Sequence, residues 1–95
     1  MKLTWTSKAL SDLARLHEFL ALVNKPAAAR TVQKLTAASA RLTANPRIGE
    51  KLEEFEPREV RRIIVGHYEI RYEIRYEIRE SSIVMLRLWH TREDR

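Results

Sequence analysis

The chain has 95 residues, of which 44% are hydrophobic and 33% charged, and its formal net charge is +5. This composition is ordinary for a globular protein and excludes a disordered chain, so residues 1–95 are expected to form a single domain with one small core. The lack of cysteine excludes disulfide bonds and thiolate sites, while the positive charge either favours acidic partners (nucleic acid or an acidic protein segment) or serves solubility alone.

The N-terminal residues predict a short strand. Residues 2–6 alternate in polarity, with Leu3 and Trp5 on one face. Residues 1–5 lack the apolar run of a signal peptide, and no segment approaches the length of a membrane span. A cytoplasmic protein is therefore expected.

Two amphipathic helices are predicted next. Thr6 or Ser7 offers a capping hydroxyl for the first helix. This helix is expected from Lys8 to about Val23, and it should bury the apolar residues spaced by three and four: Leu10, Leu13, Leu16, Leu20 and Val23.

A break at Asn24-Lys25-Pro26 separates the two helices, because proline is favoured in a first helical turn. The second helix should run to about Ala44 and bury one stripe: Ala28, Val32, Leu35, Ser39 and Leu42. A connection this short predicts an antiparallel helical hairpin.

The second half of the chain predicts a sheet. Residues 47–57 are expected to form a loop and residues 58–65 a strand, with a tight turn at Gly66-His67. Residues 68–79 read YEIRYEIRYEIR, in which Tyr and Ile alternate strictly with Glu and Arg. The pattern predicts one long central strand with an apolar face and a charged face, and a slip of four residues would preserve both faces.

The last predicted strand, residues 83–90, carries apolar side chains on both faces. Val84, Leu86 and Leu88 are assigned to the helix side, together with Tyr68, Ile70, Tyr72 and Ile74. Two helices cover only one side of a sheet, so some of Ile83, Met85 and Trp89 should be exposed and should contact a partner. The alternative is that the loop near Phe55 folds over them.

Several segments in this order resemble one protein family. They are LTWTSKALSDLARLHEFL, RLTANPRIG, REVRRIIVGHYEIRYEI and IVMLRLWHTRED, with the loose motifs W-T-x-x-A-x-x-D-L, N-P-x-x-G and H-x-R-E. Together they resemble the ParE branch of the RelE/ParE toxin superfamily over nearly the whole chain. The resemblance implies an α+β fold: an N-terminal strand, an antiparallel helix hairpin and a three-stranded antiparallel meander.

The resemblance also implies a function. Toxins of this kind belong to type II toxin–antitoxin systems, cause growth arrest, serve plasmid stabilisation and are neutralised by a ParD-like antitoxin that wraps the toxin. ParE proteins act on DNA gyrase by binding and are not enzymes. The third YEIR unit departs from the family and looks like a four-residue insertion, which either shifts a neighbouring turn or is accommodated as a bulge.

Candidate site residues follow from these two lines of reasoning. Arg87, His90 and Arg92 are expected to bind the target, since they end the last strand and are too polar for packing to explain. Ile83, Met85 and Trp89 are the candidates for antitoxin binding. No spacing indicates a metal site or a phosphate-binding glycine loop, so no cofactor is expected.

A RelE-like ribosome-dependent mRNA endoribonuclease is the alternative function. Basic residues that include Arg61, Arg62 and Arg87 are available to stabilise a phosphate, and His90 to transfer a proton. However, no tyrosine follows Tyr76, although such enzymes typically carry one near the C-terminus, and the tail is partly acidic.

Overall fold

The computed structural model describes residues 1–93, which form one mixed sheet with two helices on one side. The elements are β1 (Lys2–Trp5), α1 (Ser7–Ala21), α2 (Lys25–Arg41), β2 (Glu50–Lys51), a 3-10 turn (Glu53–Phe55), β3 (Glu59–Val65), β4 (Tyr68–Arg75) and β5 (Ser82–His90). The sheet has five strands in the order β1-β5-β4-β3-β2, and β1 pairs with β5 in parallel. The predicted helix hairpin and antiparallel β3-β4-β5 meander are thus confirmed.

Both helices begin at a side-chain cap: Thr6, which was expected for the first helix, and Asn24, which was expected only as part of the break between the helices. The Thr6 hydroxyl accepts a hydrogen bond from Ala9 N (3.1 Å), and the Asn24 side chain accepts one from Ala27 N (3.0 Å). These bonds satisfy backbone N–H groups that have no partner within the helix. Neither helix is long and apolar enough to cross a membrane, within the part of the chain that the structure describes.

The buried face of α1 differs from the predicted stripe. Ala9 and Asp12 face the sheet, so Leu13 and Leu16 pack against the core from the side. Leu10 is exposed, and the expectation that it is buried is wrong, as it is for Val23, which lies beyond the end of the helix. The stripe of α2 is confirmed, with Ala28, Leu35, Ser39 and Leu42 buried and Val32 half-buried.

The first two copies of the repeat form β4, the central strand of the sheet. Ile70, Tyr72 and Ile74 lie in the core beneath the helices, with Tyr68 packed against them. The expected twelve-residue strand is wrong, because the third unit (76–79) lies outside the sheet and Ile78 is fully exposed. The insertion therefore lengthens the connection between β4 and β5.

A bulge in β5 reverses the faces assigned to its first half. Arg71 pairs with Arg87 and Tyr72 pairs with Met85, so Leu86 is the extra residue. Before the bulge, Ile83 and Met85 face the helices in the core, whereas Val84 lies opposite Glu73 on the other face. The assignment of Val84 and Leu86 to the helix side is wrong, and that of Leu88, which follows the bulge, is confirmed.

The segment before β3 is more ordered than the predicted loop. The short strand β2 pairs with Arg61 and Arg62 of β3. The Tyr72 hydroxyl donates a hydrogen bond to Pro46 O (2.7 Å) and accepts one from Gly49 N (3.1 Å). A Cβ atom on Gly49 would lie 2.6 Å from both the Tyr72 hydroxyl and Arg62 O, so glycine is required by the close approach.

Candidate interaction surface

A groove lies between α1 and the end of the sheet where β5 finishes. It encloses about 570 Å³, and its walls come from α1, α2, β4, β5 and the β3–β4 turn. Apolar side chains predominate in the lining, with ionisable groups among them: Asp12, Arg15, Leu16, Phe19, Leu20, Thr31, His67, Tyr68, Leu88, Trp89, His90 and Glu93. A groove of this size and character suits a protein segment or an aromatic side chain.

His90 lies in this groove, held by aromatic neighbours. Its ring stacks on that of His67 with 5.9 Å between centroids, and it meets the edge of the Tyr68 ring at 5.3 Å. Its Nδ1 accepts a hydrogen bond from the backbone N–H of Arg92 (3.1 Å). Because burial raises the pKa of Tyr68, this phenol stays neutral and retains a proton to donate.

Arg87 is only half-exposed, because a buried carboxylate holds it. Its Nε and NH2 atoms donate hydrogen bonds to Asp12 at 2.8 and 3.1 Å. The hydrogen bond from Arg87 to Asp12 raises the pKa of the guanidinium, which carries its charge throughout the physiological range. Asp12 also accepts a hydrogen bond from Leu88 N (2.9 Å). Arg87, a predicted target-binding residue, thus also helps to join α1 to β5.

Arg92 is the most accessible of the three predicted target-binding residues. It is exposed in the turn that follows β5, next to Glu93, whose carboxylate lies 3.7 Å from Arg15. Arg87, His90 and Arg92 all belong to the final strand and its turn, and His90 and Arg92 share a hydrogen bond. The last two residues of the predicted charged tail lie outside the described residues.

None of the three predicted antitoxin-binding residues is exposed. Ile83 and Met85 are fully buried beneath the helices because of the bulge at Leu86. Trp89 lies on the other face as expected, yet only 7% of its surface is accessible. Its ring is covered by the guanidiniums of Arg71 (4.7 Å to the centroid) and Arg87 (5.0 Å).

The segment around Phe55 helps to cover this second face, as the alternative interpretation expected. The Arg71 guanidinium lies 4.7 Å from the Trp89 ring and 5.5 Å from the Phe55 ring, so one cation contacts both aromatic side chains. Cation–π contacts of this kind stabilise a partly desolvated arginine. The tryptophan is therefore packed within the chain itself.

Paired charges fill the rest of that face. Glu73 accepts hydrogen bonds from Arg58 (3.0 Å) and Arg75 (3.0 Å), and Arg71 donates one to Glu69 (3.1 Å). The hydrogen bond from Arg58 lowers the pKa of the Glu73 carboxyl, and Arg75 lowers it further, against the effect of burial. The charged side chains of the first two repeat units thus mainly form ion pairs within the chain.

The end of α1 and the turn that follows it expose a large apolar patch. The exposed fractions are 70% for Phe19, 85% for Leu22 and 87% for Val23. These three residues define the hairpin end, and Phe19 also lines the groove. The signal was present in FLALV at 19–23, because five consecutive apolar residues cannot all face one side of a helix.

The basic residues required by the ribonuclease interpretation do not converge. Arg61 and Arg62 lie on β3, which is separated from β5 by β4. Each is paired with a carboxylate, Arg61 with Glu59 (2.8 Å) and Arg62 with Glu50 (2.7 Å). Within residues 1–93, no three carboxylate or histidine side chains come together in a way that could hold a metal ion.

Comparison with known proteins gives one family and one fold. The family model described as the ParE toxin of the type II toxin–antitoxin system parDE matches residues 3–95. A structure described as the chromosomal ParDE TA system from P. aeruginosa is 23% identical, with a TM-score of 0.70 over 95% of each chain. A YoeB/ParE toxin from Agrobacterium tumefaciens is 21% identical, with a TM-score of 0.63 over 95% of this chain and 98% of that one. The search of curated proteins found no match.

Proposed function

This chain belongs to the ParE toxin family of type II toxin–antitoxin systems, and from that premise we propose that it inhibits DNA gyrase and is neutralised by a ParD-like antitoxin. The family match over residues 3–95 carries the proposal. The toxin acts in the cytoplasm as a binding protein and catalyses no reaction. The pairing of Arg61, Arg62 and Arg87 with carboxylates supports binding, because a catalytic cluster requires basic groups that are free to reach a phosphate.

The hairpin end and the groove together form the surface that we assign to the antitoxin. An exposed apolar patch on a small protein marks a binding site, and large aromatic side chains at its centre dominate the binding energy. Phe19 connects the two parts, since it is exposed at the hairpin end and also lines the groove. This surface replaces Ile83 and Met85, which lie in the core.

The target surface is assigned to the end of β5. Arg92 is exposed, and His90 is half-buried beside it. Both present hydrogen-bond donors, and Arg87 adds a charge that Asp12 holds in place. His90 lies in the same groove as Phe19, so an antitoxin seated there would also cover part of the target surface.

Plasmid supercoiling by purified gyrase, run beside an mRNA cleavage assay on translating ribosomes, tests the assignment. We expect the protein to block supercoiling and to accumulate cleaved DNA, while mRNA stays intact. Adding the cognate antitoxin should restore supercoiling. Rapid mRNA cleavage with unaffected gyrase would reject the proposal and support the RelE-like ribonuclease instead.

Two variants separate the target surface from the antitoxin surface. Arg92→Ala should abolish growth arrest while antitoxin affinity and thermal stability stay unchanged. Phe19→Ser should weaken antitoxin binding while growth arrest and thermal stability stay unchanged. Arg30→Ala, an exposed residue of α2, is the matched control for loss of one positive charge. Equal toxicity of the Arg92 and Arg30 variants would remove Arg92 from the target surface.

A further inference from the structure

The third copy of the repeat leaves an unused strand segment beside the one in the sheet. Residues 76–79 have the same sequence as residues 68–71 and 72–75, which form β4. They lie in the connection to β5, where Tyr76 and Ile78 are exposed. Two overlapping windows of the chain, residues 68–75 and 72–79, therefore carry the same eight side-chain types in the same order.

We propose that β4 exchanges between two registers, in which either residues 68–75 or residues 72–79 occupy the central position of the sheet. In the structure Ile63 pairs with Ile70 and Arg62 pairs with Arg71. After a shift of four residues, Ile63 pairs with Ile74 and Arg62 with Arg75. Because four is even, every side chain stays on the face that it occupied.

The side-chain contacts of β4 have an equivalent in the exchanged register. The bonds from the Tyr72 hydroxyl to Pro46 and Gly49 pass to Tyr76, and the ion pair of Glu73 with Arg58 passes to Glu77. The contact of Arg71 with Trp89 passes to Arg75 in the same way. The core and the charged face therefore do not discriminate between the two registers.

The two connections of β4 exchange their lengths. The structure has a two-residue turn at Gly66-His67 and a six-residue connection at 76–81. In the exchanged register the first connection spans residues 66–71 and the second only Glu80-Ser81. Since loop-closure entropy depends on length, the sum over the two connections is unchanged.

What distinguishes the registers is the chemistry of the tight turn. Gly66 has φ of 60°, which glycine adopts without steric strain, so the Gly66-His67 turn favours the register in the structure. Glu80-Ser81 lacks a glycine and forms a poorer two-residue turn. The Tyr76 hydroxyl bond to Glu59 (2.6 Å) also belongs only to the present register, so the exchanged register is the minor form.

The exchange changes the surface at the end of the sheet. It would move the six-residue connection from the start of β5 to the β3–β4 end, next to His90 and the groove. The molecule would then have two folded forms with the same core and different groove margins. Two packings of one sequence with a small energy difference are what a conformational switch requires.

Disulfide trapping measures the two registers directly, because the chain contains no cysteine. Arg62→Cys/Arg71→Cys reports the register in the structure, and Arg62→Cys/Arg75→Cys reports the exchanged one. Residue 75 lies four positions beyond the partner of residue 62, roughly 13 Å along the strand at about 3.3 Å per residue. A disulfide requires Cα atoms about 4.4–6.8 Å apart, so the second pair closes only after the shift.

A control pair distinguishes exchange from random motion of the connection. Arg62→Cys/Glu77→Cys joins residue 62 to the exposed connection that begins just beyond Arg75, and the four-residue shift does not bring residues 62 and 77 opposite each other. We expect the 62–75 disulfide to form at least tenfold faster than the 62–77 disulfide. Adding Ile78→Asp, which is harmless where Ile78 is exposed but places a charge in the core after the shift, should suppress the 62–75 disulfide alone. Equal rates for the 62–75 and 62–77 pairs would overturn the proposal.

Charged substitutions give an independent test by cooperative thermal unfolding. Ile70→Asp should leave a folded protein, because the chain can move residue 70 out of the core by adopting the exchanged register. Ile74→Asp should abolish the transition, since Ile74 lies in the core in both registers. The double variant Ile70→Asp/Ile78→Asp should also fail to fold, although Ile78→Asp alone should not. If Ile70→Asp is as damaging as Ile74→Asp, the spare unit does not replace the first one and the proposal is wrong.

Discussion

Asp12, which is 97% removed from solvent, accepts two hydrogen bonds from Arg87, a third from the backbone of Leu88 and a fourth from Arg15. Within residues 1–93, β1 pairs only with residues 82–85, so the edge of β5 that faces away from β4 has no neighbouring strand beyond residue 85. Asp12 satisfies the Leu88 N–H at that edge, so one helix side chain replaces a missing strand partner.

Replacing Asp12 with alanine should therefore destabilise the protein by about 2–4 kcal/mol, because a buried N–H and a guanidinium both lose their acceptor. Urea denaturation measures this as a lower midpoint at constant slope. The control is Arg15→Ala, which removes a mostly exposed partner of the same carboxylate and should cost less than about 1 kcal/mol. Equal effects of the two variants would show that Asp12 acts only as a surface charge.

Glu73 should make stability fall in acid. Its pKa lies below the ordinary value of a glutamate, chiefly because of the hydrogen bond from Arg58. A lowered folded-state pKa adds stability above the unfolded-state pKa of about 4.3, and this stability is lost as pH falls through the folded-state value. Glu73→Gln should be less stable than the parent at pH 7, and the difference should shrink between about pH 5 and pH 3.

Thermal unfolding across that pH range, with Glu77→Gln as the control, checks this expectation. Glu77 has the same neighbours in sequence but lies in the exposed third unit, so Glu77→Gln controls for the loss of one negative charge. A difference between parent and Glu73→Gln that does not vary with pH would show that the ion pairs with Arg58 and Arg75 contribute nothing.

The Tyr72 hydroxyl should stabilise the segment before β3. Tyr72→Phe removes an acceptor for Gly49 N and a donor to Pro46 O, and should cost about 1–3 kcal/mol. Tyr76→Phe removes an exposed hydroxyl from the next unit and should cost less than about 0.5 kcal/mol. Chemical denaturation of both variants gives the comparison, and a larger loss for Tyr76→Phe would contradict the placement of the repeat.

Deleting one YEIR unit should leave a folded protein, whichever unit is deleted, since the three deletions give the same sequence. The connection from β4 to β5 shortens from six residues to two, which lowers the entropic cost of closing the loop. We expect a midpoint of thermal unfolding close to that of the parent, because the poorer Glu80-Ser81 turn offsets this gain. Deleting Glu73 alone should abolish cooperative unfolding, because it moves the side chains that follow in β4 to the opposite faces of the sheet. Deleting Glu77 alone should change the unfolding midpoint little.

The alternation of the repeat correctly predicted a strand, but it could not show where that strand ends. All three units have the same local preference for a strand, and only the pairing with β3 decides which of them join the sheet. β3 begins at Glu59, which pairs with Ile74, so residues beyond Arg75 have no residue of β3 to pair with. The two-residue strand β2 was missed for a related reason, since Glu50 and Lys51 form a strand only because β3 lies beside them.

The bulge explains why the candidate site was only partly predictable. Leu86 has no local signature of an extra residue, yet it exchanges the faces of everything before it in β5. The Thr6 hydroxyl, which donates to Met85 O (2.8 Å), helps to hold this irregularity from 79 residues away. His90, Arg87 and Arg92 follow the bulge, so their placement at the strand end could be inferred from the sequence, whereas the ion pair with Asp12 could not.

The pairing of β1 with β5 has a consequence for synthesis. Leu3 and Trp5 are aligned with Ile83 and Met85, so β1 is synthesised long before β5, the strand with which it pairs. The two helices, within residues 7–41, can form as they emerge, but the face of α1 that packs on β5 stays uncovered until β5 has been made. A chain that terminates before residue 82 has no partner for β1, and we expect it to reach a protease before it reaches a native state.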